Sequence, residues 1–431
     1  MTDSLVDAQG ALDAKALRRL ALDLGADDAG FVEIERPALA DQLEDIRTAL
    51  PGARALIALV FRIIPAGVQS PWRAAAQREF HAASDQASET TRRMLMALHD
   101  AGTRAVAESW GFPMEASGRW PGKMWFISHK PVAVEAGLGL MGTNRMILHP
   151  RFGGFVYFTT IAVSRPVSGY GRPIEKNPCD QCKLCHAVCP TGAIGKEGRF
   201  DFLSCITHNY RYKLGGFSSW VENVVESRGA ADYRRRVSDQ ETVTMWQSLS
   251  HGSLSMCDYC VAVCPAGEAN LPFYHHDKGA YVREVVQPLQ ERRETVYAVP
   301  GSDAEAYAAA RFPHKQVKRV SPGIRPASVA SFIWAMPLTF QPGRAAGLDA
   351  VYHLIFTGDE HHRVTVTIRN QTLETRPGLE GEPDLIMTAD SATWLAFLAK
   401  EKSIAAALLT LKIRIKGDPR LLAAFGRCFP L

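Results

Sequence analysis

The sequence predicts a mixed α/β protein built of several modules: an α/β N-terminal domain, a cysteine-rich middle, and an α+β C-terminal domain. Three observations carry this prediction. The chain has 431 residues, more than one hydrophobic core usually organises. Eight of its nine cysteines fall between Cys179 and Cys264, with only Cys428 apart. After about residue 285 the pattern changes from charged and irregular to short alternating strands. With 46% hydrophobic and 22% charged residues the composition is that of a globular chain and excludes wholesale disorder. Its 49 Lys and Arg against 45 Asp and Glu leave a net +4, too mild to indicate a polyanionic partner.

The N-terminal domain is expected over residues 1–170. Ala14–Gly25 has helical periodicity, with Leu17, Leu20, Ala21 and Leu24 on one face and Gly25 as a stop. Ala53–Ile64 and Phe155–Val163 are rich in β-branched and apolar residues and read as buried strands. Ala82–Ala101 reads as a long helix with Met94, Leu95 and Leu98 at helical spacing.

The middle, residues 171–285, is defined by its cysteines. They run Cys179-x2-Cys182-x2-Cys185-x3-Cys189-Pro190, then Cys205, then Cys257-x2-Cys260-x3-Cys264-Pro265. A chain without an export signal is expected to keep its thiols reduced, which disfavours disulfides. Zinc favours two separated CxxC pairs. The run of three thiolates at x2 spacing, with a fourth at x3 before proline, matches the bacterial ferredoxin run, in which the fourth cysteine ligates the other cluster. A two-cluster ferredoxin-like module is therefore expected. One 4Fe-4S cluster would take Cys179, Cys182, Cys185 and Cys264; the other would take Cys189, Cys205, Cys257 and Cys260. An insert at 206–256, with Trp220, Trp246 and Arg234-Arg235-Arg236, interrupts the second run.

Between the two regions stands AGLGLMGTN, in which Gly137, Gly139 and Gly142 have the GxGxxG spacing. No Asp or Glu occurs from Thr143 to Ile174, so the acid that would hold a ribose is missing and NAD binding is rejected. The glycines still require backbone to pass close to something.

AGLGLMGTN followed by GRPIEKNPCDQCKLCHAVCPTGAI resembles the epoxyqueuosine reductase and reductive dehalogenase superfamily, over roughly residues 10–285. The resemblance implies a cobalamin lying against Gly137, Leu138, Gly139, Gly142 and Asn144, fed with electrons by the clusters. It also implies a proton donor just upstream. There the sequence reads Trp125-Phe-Ile-Ser-His-Lys-Pro131, without an acid, leaving Ser128, His129 and Lys130 as candidates, His129 first because imidazole titrates near neutrality.

Residues 286–324 read as a linker, with Pro322 and Gly323 near their end and Pro326 just beyond. Strands are expected at Ala350–Phe356, Val364–Ile368 and Asp384–Thr388, and helices at Thr393–Ala399, Ile404–Leu411 and Pro419–Cys428. DLIMTADSATWLAFL and IKGDPRLLAAF resemble the sterol carrier protein type two fold over 325–431, which implies a sheet with an apolar ligand beneath it, or a scaffold without one.

The function expected is that of an iron–sulfur oxidoreductase, a cobalamin-dependent reductase that cleaves a small organic substrate. Its electron donor would be a ferredoxin or flavodoxin, and a tRNA partner stays open. Two other readings remain: a corrinoid-free electron-transfer protein that docks a partner enzyme, and a lipid-binding redox sensor. No apolar run approaches the roughly 18 residues of a membrane span, and the acidic N-terminus lacks a secretory pattern, so a cytoplasmic location is expected.

Overall fold

The computed structural model describes residues 5–108, 125–195, 198–252 and 257–430. They gather into two compact units. The first takes the described residues of 1–115, 123–188 and 258–291; the second takes those of 189–257 and 292–431. The architecture is mixed α/β throughout.

In the first unit the strands are β1 (Asp28–Glu33), β2 (Ala55–Arg62), β3 (Ala105–Ala107), the short β4 (Leu140–Met141) and β5 (Ile147–Leu148), and β6 (Val156–Val163). The main sheet has the order β1-β2-β6-β3 and is antiparallel at every pairing. β2 is apolar almost without a break because both of its faces are covered. Leu56, Ala58 and Val60 pack into a core with Val32, Ile34 and Val132. The alternate residues Ile57, Leu59 and Phe61 pack into another with Leu17, Met94 and Leu98.

The helix Ala14–Asp23 starts where the Asp13 carboxylate accepts the Ala16 N–H at 2.7 Å. The long helix expected at 82–101 spans Arg73–Asp100, extended at its start by the good helix formers Ala74, Ala75 and Ala76. β4 and β5 form a hairpin of their own, and it carries the glycine motif.

In the second unit, residues expected to be a linker fold instead. β7 (Thr295–Ala298) and β8 (Gln316–Arg319) pair in parallel, with the helix Asp303–Arg311 between them. Val296, Tyr297 and Ala298 are buried, so this stretch has a core to join despite its charge. The C-terminal sheet comprises β9 (Ala350–Thr357), β10 (His362–Arg369), β11 (Thr372–Pro377), β12 (Leu385–Asp390) and β13 (Ile413–Gly417), in the order β11-β10-β9-β12-β13. Only β9 and β12 run parallel. The β10–β11 turn places Asn370 and Gln371 at φ of 50° and 59°, the left-handed pair that a tight hairpin needs.

The helix Val329–Thr339 begins at a Ser328–Ser331 capping box and continues past Pro337, which stands close enough to its end to cost a single interior hydrogen bond. It covers the core side of the sheet, where Phe332 meets Phe356 and Trp394.

Gln341 is fully buried and joins three segments of this unit. Its Nε2 donates to both oxygens of Asp201 at 3.2 Å, its Oε1 accepts the Asp303 N–H at 2.8 Å, and its own N–H donates to the Cys428 carbonyl at 2.9 Å. Among the described residues no helix is long and apolar enough to cross a membrane.

Candidate functional site

The first unit holds a pocket on which four cysteines converge. Cys179, Cys182 and Cys185 reach it from the loop 179–183 and the short helix Leu184–Val188, and Cys264 reaches it from the chain after Tyr259–Ala262. Thr143, from the β4–β5 turn, and Leu148, from the end of β5, also line it. The loop is bent: Gln181 and Lys183 sit at φ of 50° and 62°, a conformation that side chains resist.

Hydrogen bonds hold the bend open. Asn177 accepts the Cys179 N–H at 2.9 Å and donates to the Met141 carbonyl at 3.2 Å. Thr143 Oγ1 lies 3.6 Å from Cys179 Sγ, and Asn144 Nδ2 donates to the Cys260 carbonyl at 3.0 Å. The Tyr274 hydroxyl is hydrogen-bonded to Cys182. Burial pushes the thiols of Cys185 and Cys264 up to about 12, and the neighbouring cysteines add to the rise; Cys182 is raised for the same reasons.

This arrangement corrects the cluster assignment. Among the described residues, no group of three or more His, Cys, Asp or Glu side chains is placed to hold a metal ion. This overturns the two 4Fe-4S clusters, the iron–sulfur enzyme and the corrinoid reaction that depended on them. The second set of cysteines is divided. Cys189, Cys205 and Cys257 belong to the second unit and Cys260 to the first. Cys189 is buried with its Sγ 3.6 Å from Thr191 Oγ1, and the Cys257 N–H donates to Asn209.

The glycine motif corrects the cobalamin assignment in the same way. A Cβ built on Gly139, at φ of 157°, would stand 2.5 Å from the Leu148 carbonyl oxygen, and one on Gly137 would stand 2.7 Å from that of Arg172. One on Gly142 would meet Leu148 Cδ1 at 2.7 Å. The glycines let the hairpin close on its own chain, and the space beside them is filled by protein. Leu138 is buried, and the buried Asn144 side chain is engaged with the Cys260 carbonyl and the Met146 N–H.

The three candidate proton donors lie at the start of the helix His129–Glu135. The Ser128 N–H donates to Gln42 Oε1 at 2.8 Å, and Lys130 Nζ donates to the Arg145 carbonyl at 2.7 Å. His129 is half-buried with Nδ1 2.9 Å from Thr160 Oγ1, and desolvation lowers it to about 4, so it stands neutral at pH 7. The acid absent from this stretch of sequence is present in space. Glu108, just after β3, accepts the N–H groups of Ile127 and Phe126, and burial raises its carboxyl to about 7. An acid at the end of a strand was the only sequence signal, and it stands too far from Ser128 for local reading to find it.

Glu108 and His129 make opposing pH dependences. The raised carboxyl lends stability at low pH that is lost as pH climbs from about 4.5 through 7. The depressed imidazole costs stability at low pH, and that cost disappears as pH climbs from about 4 through 6.5. Glu108→Gln is expected to be more stable than the parent by ~1–2 kcal/mol above pH 7, after allowance for solvent screening, and equal to it below pH 4.5. Urea titrations across that range check this; a difference that does not vary with pH defeats it.

Comparison with known proteins places these features. Residues 324–430 match the alkyl sulfatase C-terminal family. Epoxyqueuosine reductase of Bacillus anthracis is 28% identical over 163 residues, covering 38% of this chain and 35% of that protein. That of Escherichia coli K12 is 34% identical over 82 residues, covering 19% and 21%. The solved structure of epoxyqueuosine reductase from Bacillus subtilis aligns with 76% of this chain and 86% of its own at 17% identity and a TM-score of 0.35. The match to the Bacillus anthracis protein thus spans about a third of that relative's length. The chain is similar in sequence to epoxyqueuosine reductases over 38% of its length and to the alkyl sulfatase C-terminal family over residues 324–430.

Proposed function

We propose that this chain is a corrinoid-free electron-transfer protein that docks a partner, with the thiol pocket of Cys179, Cys182, Cys185 and Cys264 as its redox element. The observation that carries the reading is the convergence of four thiols from two distant segments on one pocket. The sequence similarity to reductases supports a redox role. The step is thiol–disulfide exchange. Two pocket thiols form one S–S bond while a disulfide of the partner is cleaved, and two electrons and two protons pass to the partner's sulfurs. The bent loop 179–183, with Asp180, Gln181 and Lys183 exposed, presents the open end of the pocket, and Cys185 and Cys264 are half-buried, with desolvation raising both thiols.

The C-terminal residues 325–431 enter the same proposal as a sterol-carrier-like domain that holds an apolar ligand; the family they match, over 324–430, is the alkyl sulfatase C-terminal family. The experiment is a redox titration of anaerobically purified full-length protein in thiol–disulfide buffers, with free thiols counted by mass and metals by elemental analysis. A reversible two-electron couple that disappears in Cys185→Ser or Cys264→Ser is expected. Stoichiometric iron in the purified protein, or thiols that stay reduced at every potential, overturns the reading.

A further inference from the structure

His149 follows β5 directly and is almost wholly buried. Its Nε2 lies 3.1 Å from Asp28 Oδ2, and the other Asp28 oxygen is paired with Arg18 Nη2 at 2.6 Å. Its Nδ1 accepts the N–H groups of Arg151 and Phe152 at 3.2 and 3.4 Å. Two donors on Nδ1 require a lone pair there, so the ring proton sits on Nε2 and is donated to Asp28. One tautomer satisfies every partner.

The loop that His149 closes touches the thiol pocket on both sides. His149 and Gly153 exchange backbone hydrogen bonds at 2.9 and 2.8 Å. Leu148, one residue earlier, lines the pocket. The Arg151 carbonyl accepts the Glu268 N–H at 2.8 Å, and Gly153 lies so close to Ala266 that no Cβ fits between them. Ala266 is two residues beyond Cys264 and itself lines the pocket.

We infer that His149, locked between Asp28 and the loop amides, is the positioning residue that seats Cys264 among Cys179, Cys182 and Cys185. The inference deepens the thiol-exchange reading and rests on it for its consequence, since exchange within the pocket needs Cys264 in reach of the other three. Sheet and pocket are thereby joined: Asp28 is the first residue of β1, and its carboxylate fixes the ring that holds the loop.

The test is bridging of neighbouring thiols in the reduced full-length protein by a short bis-alkylating bimane, read by peptide mapping, beside thermal melting. His149→Gln keeps a donor for Asp28 and removes the acceptor for the loop amides. His149→Asn places an oxygen near the Nδ1 position and restores that acceptor. The expected result is a drop of about tenfold or more in bridges from Cys264 in His149→Gln. Bridges among Cys179, Cys182 and Cys185 should be unchanged, and His149→Asn should recover a substantial part. If His149→Gln does not fold, Asp28→Leu, which leaves the loop's own hydrogen bonds in place, should give the same selective loss. Unchanged Cys264 bridging overturns the inference. So does a uniform loss of all bridges together with the melting temperature, which marks a merely structural role. Normal bridging in a protein that shows no redox couple refutes the exchange reading and leaves the positioning role standing.

Discussion

Gly153→Val is expected to unfold the first compact unit, or to leave it without a cooperative transition. Gly153 has φ of 60°, and its Cβ position lies 1.8 Å from the Ala266 carbonyl oxygen and 2.5 Å from the carbonyl carbon. These atoms are backbone and cannot rotate aside. A β-branched residue adds the cost of a left-handed conformation, ~1–2 kcal/mol, to an overpacking cost of ~3 kcal/mol or more. Together these consume much of the stability of an ordinary domain. Gly154→Ala is the control, because its Cβ would meet only the Leu148 side chain, at 3.3 Å. Chemical denaturation followed by circular dichroism decides it. A valine variant with the parent's midpoint would mean that the two segments are not in contact in solution.

Phe356→Ala is expected to cost ~3–5 kcal/mol in the second unit. Phe356 is 1% exposed on β9, the strand whose neighbours run parallel on one side and antiparallel on the other. Its ring lies 6.1 Å from Phe332 and 6.0 Å from Trp394, and those two rings are 5.4 Å apart, so the substitution breaks two of three aromatic contacts as well as opening a cavity. Phe356→Leu should recover more than half of the loss by filling most of that space. Equilibrium unfolding of the two variants measures both values. A cost below ~1 kcal/mol for the alanine variant would show that the helix Val329–Thr339 closes over the gap.

What could be read beforehand followed from local patterns. The helix at Ala14 and the strands β2, β6, β9, β10 and β12 each have a periodicity or an apolar run long enough to speak for itself. β1 was missed because DAGFVE is short and opens with an acid that pairs with Arg18 and His149. β3 is three residues long. The strand–helix–strand at 295–319 was hidden by its charges, because Glu294, Lys315 and Lys318 are satisfied by ion pairs that only the folded chain reveals.

The site shows the same limit. Cysteine spacing speaks of which residues could share a cofactor, not of whether their side chains converge on a metal in a particular charge state. The glycine spacing was correctly taken to mean close backbone approach. What approaches Gly139 is Leu148 of its own hairpin, and a linear motif does not carry that identity. Glu108 was out of reach for a related reason, since Ile127, which it serves, stands 19 residues further along the sequence.

The buried Gln341 gives the C-terminal region a property that a family boundary at 324 does not suggest. Its side-chain amide ties the start of the Phe202–Asn209 helix to the start of the Asp303–Arg311 helix, and its backbone N–H adds the Cys428 carbonyl. Excising residues 324–430 would cut two of those three ties and expose the amide that made them. The matched segment and the compact unit therefore differ in extent: residues 324–430 are recognisable by sequence, whereas the second unit also takes the described residues of 189–257 and 292–323, and the segment leans on Asp201 and Asp303 outside itself.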